Sequence, residues 1–154
     1  MALKILIPYN FTKNDEKSIE FVGHKYADTK DAEITLFHAF TYVPEIKSYN
    51  DPIMDKVIRN TAYLRCQQDE QKNALKAAGQ RLEAYGFAGN HIQRLFVPVR
   101  HDIAEDIIRL WKTENFDVVV LNRNPGNIIN YFSRSISKRV TRHLDGGIGV
   151  HIVI

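Results

Sequence analysis

Between Val118 and Leu144 the sequence has no carboxylate, yet it carries Arg123, Arg134, Lys138, Arg139 and Arg142, with Ser133, Ser135 and Ser137 among them. Guanidinium groups beside the free backbone N–H groups of a helix start are the chemistry of anion binding. The same cations also read as a solvated helix face that complements the negative end of the helix dipole, and this is the simpler account. The serines lack the strand-to-helix elbow of a nucleophile, and helix capping explains the first of them. The six histidines, at positions 24, 38, 91, 101, 143 and 151, have no metal-ligand spacing, so no metal site is expected. His101 and Asp102 are adjacent, but Asp102 is placed to cap a helix rather than to share a proton. Cys66 is the single cysteine and has no His nearby, which removes disulfide, metal and nucleophile roles. Gly146, Gly147 and Gly149 resemble a phosphate loop. They follow a helix instead of opening one, so a helix cap and a strand entry explain them better. No catalytic residue is assigned.

The elements that must position these groups follow from hydrophobic periodicity. Leu3 to Tyr9 (LKILIPY) is a nearly continuous apolar run, the pattern of a central strand buried on both faces, and Pro8 is tolerated where its ladder ends. Thr12 or Asn14 then caps a helix whose Ile19, Val22 and Tyr26 form one buried stripe. Glu33 to Phe40 is the second strand. Thr41 to Pro52 is a loop, and a long helix runs from about Ile53 to Tyr85. Its Leu75, Ala78 and Leu82 are packed, whereas Thr61, Gln68 and Gln71 interrupt the stripe after Val57 and Leu64, leaving the first turns exposed or bent. His91 to Val99 is the third strand, and Asp102 with Glu105 forms a capping box opening the third helix. Ile103, Ile107, Leu110 and Trp111 are its apolar face. Phe116 to Asn122 is the fourth strand, Ser133 to Leu144 the fourth helix, and Ile148 to Ile154 the last strand. Strands alternating with helices imply an α/β fold, a single doubly wound parallel five-stranded sheet with helices on both faces. In the order 3-2-1-4-5 the direction reverses between strands one and four. The crevice there is lined by Tyr9, Asn10 and Phe11 on one side and Leu121, Asn122 and Arg123 on the other, the usual place for a ligand in such sheets.

The succession KILIPYNFT, EITLFHAF, VRHDIAEDIIRLWKTENFDVVVLNRN and SISKRVTRHLDGGIGVHIVI resembles the universal stress protein family over the whole chain, 1–154. The resemblance implies one α/β domain, a homodimer, a role in stress response, and either an ATP or AMP site or none. It also implies no established catalytic reaction. Nucleotide-binding members end the first strand with Asp, Gly and Ser or Thr; here, after Pro8 and Tyr9, those places hold Asn10, Phe11 and Thr12. A small apolar residue after the second strand's His falls on Ala39. The Gly-x-Pro at the start of the third helix becomes His101, Asp102 and Ile103. The phosphate motif, Gly-x-x-Gly, nine residues, then Gly-Ser or Gly-Thr, falls on Leu121, Asn124, Arg134 and Ser135, and only Ser135 matches. Glycines permit positive φ and let backbone N–H groups reach phosphate oxygens. Leu121 and Arg134 obstruct that approach, while Asn124 tolerates a left-handed backbone. We therefore read the chain as a non-catalytic binding or regulatory protein and not a standard ATP binder. Two alternatives stay open: an ATP- or AMP-binding member or slow ATPase with an altered phosphate loop, and a pure protein-interaction module built on residues 41–85.

Composition narrows the classes further. At 154 residues, 44% hydrophobic and 25% charged, the chain is an ordinary globular domain with room for one core. No apolar run approaches the roughly 18 residues of a membrane span. A net charge of +3 and the limited aromatic interleaving at Tyr131 and Phe132 do not make a nucleic-acid surface. The N-terminus lacks the marks of a signal peptide, and a reducing cytoplasm fits the lone cysteine. The last strand, with Ile148, Val150, Ile152 and Ile154, would expose an apolar edge unless paired, which predicts a two-fold homodimer through it. Gly149 inside that strand marks a bulge or the close approach of a partner backbone.

Overall fold

In the computed structural model, residues 2–11, 13–29, 31–41, 52–122 and 149–153 are described. The first strand, β1 (Lys4–Pro8), holds Ile5, Leu6 and Ile7 at zero exposure, which is why its sequence is apolar without alternation. β1 pairs in parallel with β2 (Glu33–Phe40) on one side and with β4 (Val118–Asn122) on the other. β2 pairs with β3 (Ile92–Pro98), and β4 with β5 (Gly149–Val153), so the sheet runs β3-β2-β1-β4-β5. The expected parallel α/β architecture is thus the observed one. The third strand starts one residue later than expected, because Gly89–His91 forms a short 3-10 turn. The fourth starts two residues later; Asp117 instead exchanges hydrogen bonds with the Lys4 backbone. The expected helix at 133–144 lies outside the described residues.

Helix α1 (Lys13–Lys25) and helix α2 (Pro52–Ala84) cover one face of the sheet, and α3 (Ile103–Glu114) covers the other. On the first face, Ile19, Val22 and Tyr26 of the α1 segment meet Ile5, Ile7, Ile34, Leu36, Leu75, Ala78 and Leu82. On the second, Leu6, Phe37, Ala39 and Val119 pack against Ala104, Ile107 and Ile108. The alternation along each strand decides which core a residue joins. Gly23 is needed where α1 meets the end of α2, because a Cβ there would stand 2.5 Å from the Tyr85 ring.

α2 is 33 residues long, about 50 Å at 1.5 Å per residue, far longer than the strands it crosses. Its second half is packed. Its first half is not: Ile53, Val57, Tyr63 and Leu64 are exposed, and Gln68 donates to the Thr41 carbonyl where β2 ends. At the far end, Gly86 with φ 108° closes the helix: its N–H reaches the Glu83 carbonyl, and the Phe87 N–H reaches Leu82. Leu82 and Phe87 then meet in the core, the hydrophobic contact that accompanies such a cap. Of the expected capping box, the Asp102 half opens α3, its side chain accepting from the Glu105 N–H at 2.8 Å. The Glu105 carboxylate also accepts from Arg109, one turn on. Asn115, left-handed at φ 55°, ends the helix.

Candidate functional site

The strand order reverses between β1 and β4, and the register Leu6↔Val119 brings Pro8 and Asn122 to the same carboxyl edge of the sheet. Backbone pairing continues past β1, since the Tyr9 N–H donates to the Phe37 carbonyl at 2.7 Å. Pro8 and Tyr9 are buried, and Asn10 is half-buried. At Phe11 the chain turns with φ 61°, a left-handed conformation that costs an ordinary residue on the order of 1 kcal/mol or more. The strain is held by packing. The Phe11 ring meets Tyr9 edge-on at 5.2 Å and His38 at 4.7 Å between centroids.

His38 is the centre of this cluster. Ile34, Leu36, His38 and Phe40 share a face of β2, so the imidazole points toward the α1 and α2 side. Its Nδ1 lies 2.8 Å from the Tyr9 carbonyl; a carbonyl only accepts, so Nδ1 carries a proton. Phe96 stacks on the ring at 5.5 Å, and Phe40 stacks on Phe96 at 4.6 Å. Burial pushes the His38 pKa below its ordinary value, against the opposing pull of that backbone bond. Burial thus favours the neutral ring, with Nδ1 as the donor to Tyr9. The Tyr9 hydroxyl takes a 3.0 Å hydrogen bond from Arg81 on α2, whose guanidinium also lies 3.3 Å from Glu16 on α1. Burial raises the Tyr9 pKa, and the Arg81 charge partly offsets it.

The predicted site residues divide. Tyr9 and Phe11 come together on the α1 and α2 side, beside a hollow of about 270 Å³ between Phe11 and Gln67, Glu70, Gln71 and Ala74 of α2. Ala39 and Leu121 instead point into the core beneath α3, where both are buried. Asn122 ends β4. Arg123, Asn124, Arg134 and Ser135 lie outside the described residues. Sequence reasoning missed His38, Phe96 and Arg81 as neighbours of this edge. The alternation of EITLFHAF could have placed His38, but nothing local announces that Arg81 reaches back 72 residues to Tyr9. Asp15, in the first turn of α1, is fully buried although acidic. Among the described residues no group of three or more His, Cys, Asp or Glu side chains could hold a metal ion. Nor does any described helix have the length and apolarity to cross a membrane.

No protein-family model matches the sequence, and no curated sequence relative is found. Solved structures match throughout. The hypothetical protein MJ0577 is 20% identical, with a TM-score of 0.70 over 99% of this chain and 96% of its own. A protein of the universal stress protein family from Burkholderia pseudomallei is 17% identical, with a TM-score of 0.62 over 97% and 94%. A member of that family from Arabidopsis thaliana, solved with AMP bound, is 12% identical, with a TM-score of 0.59 over 99% and 92%. The fold of this chain is that of the universal stress proteins.

Proposed function

We propose that this chain is a universal-stress-protein-like regulatory domain of the cytoplasm, non-catalytic and homodimeric, whose crevice does not hold ATP in the standard way. One observation carries the reading: Phe11 adopts the left-handed backbone that glycine adopts freely, and its ring is packed against Tyr9 and His38. The backbone geometry of a glycine turn is kept while its open space is filled. Asn10 in place of a carboxylate leaves that position without a charged metal ligand or general base. With Ala39 and Leu121 turned into the core, the candidate ligand contacts are Pro8, Tyr9, Asn10, Phe11, Asn122, Arg123, Asn124, Arg134 and Ser135. Denaturing the purified protein and chromatographing the supernatant should release no nucleotide; a stoichiometric adenine nucleotide would overturn the reading.

A second reading keeps a nucleotide. Structures of the same fold are known in complex with cAMP, with dAMP and with AMP. In that case Arg123 and Arg134 would contact the phosphate in place of glycine amides. Their replacement by Gln should then abolish any AMP binding while leaving the fold intact by circular dichroism.

A further inference from the structure

At the opposite, amino edge of the sheet lies a cavity of about 370 Å³, within the usual range for small-molecule sites. Nothing in the crevice chemistry uses it. Lys4 and Glu33 are register partners on neighbouring parallel strands, so they are opposite charges side by side on one face. They do not close on each other. The Lys4 ammonium donates to the Glu114 carbonyl, lies 4.0 Å from the Glu114 carboxylate and stands 5.3 Å from the centre of the Phe116 ring. Glu33 is in no ion pair among the described residues. The result is a slot between a cation held by Glu114, which also lines the cavity, and a carboxylate with no ion-pair partner among the described residues. Buried Thr35 and the amide of Gln93, partners in the next register, form its wall, and Phe116 lies at its base.

His91 lines the same cavity, and its Nδ1 is buried without a hydrogen-bond partner among the described residues. That nitrogen is itself closed to solvent, so the imidazole meets the cavity through its other atoms.

We propose that this cavity binds a free α-amino acid as its zwitterion, with the ligand carboxylate on Lys4 and the ligand ammonium on Glu33. The short span between the two charges of an α-amino acid suits neighbouring residues on paired strands. The side chain lies toward Phe116. The test is calorimetric titration of the whole protein with L-leucine, L-serine and L-lysine, and with two half-ligands, isoamylamine and isocaproate. At least one amino acid should bind saturably, and each half-ligand should bind leucine's site at least about tenfold more weakly than leucine itself if leucine is the binder. Glu33→Gln, an exposed change that leaves the fold intact by circular dichroism, should weaken the amino acid by about tenfold or more. Lys4→Met should do the same without altering any nucleotide titration. The proposal is overturned if none of the three amino acids binds up to about 10 mM. It is equally overturned if Glu33→Gln binds them as the parent does.

Discussion

Phe11 combines an unfavourable backbone with a favourable ring, and substitutions separate the two. Phe11→Ala keeps the left-handed strain and loses the contacts to Tyr9 and His38, so it should destabilise by about 1–2 kcal/mol. Phe11→Gly loses the same contacts but relieves the strain, and should be about 1 kcal/mol more stable than Phe11→Ala in urea denaturation. Equal stability of the two would mean that the turn is not strained. His38 makes a pH prediction. Its folded pKa is depressed below the ordinary 6.5, chiefly by burial, so the fold favours the neutral ring. That stability is fully present above the unfolded value and is lost as pH falls through the folded one. The urea midpoint should therefore drop below about pH 6.5, and His38→Gln should flatten that part of the profile. The sequence placed Phe11 at the crevice because of where β1 ends. It did not disclose what the ring touches, since His38 and Phe96 arrive from strands 27 and 85 residues further along.

The helices show how far periodicity carries. In α2, Leu75, Ala78 and Leu82 face the sheet, while Val57 and Leu64 keep the spacing of the stripe but have no sheet beneath them. Leu82→Ala should cost about 2–5 kcal/mol by chemical denaturation, because it leaves a void between α2 and β2. Leu64→Ala, at 45% exposure, should stay within about 0.5 kcal/mol. A similar loss at both positions would place the first half of α2 against something. Capping was half legible. Asp102 three residues ahead of Glu105 announced the start of α3. The left-handed Asn115 closing α3 passed unnoticed, because asparagine signals such a cap more weakly than glycine does.

Across the whole molecule, the alternation of strands and helices was enough to place the reversal of strand order between β1 and β4, since parallel crossovers of one hand leave few other arrangements. The faces were less legible: Ala39 and Leu121 were assigned to the crevice by position, yet alternation turns both into the core under α3. β5 lies at the sheet edge, and if two chains pair through it as we propose, removal of residues 150–154 should convert a dimer into a monomer by light scattering. A full-length protein that is already monomeric would contradict that assembly. The central proposal, that Phe11 and the missing motif glycines at Leu121, Asn124 and Arg134 make the chain unsuited to ordinary nucleotides, is tested most directly by calorimetric titration of magnesium ATP and of AMP into the nucleotide-stripped protein. The account predicts no saturable heat up to about 1 mM of either ligand. Stoichiometric binding of ATP or AMP at micromolar concentration would contradict it.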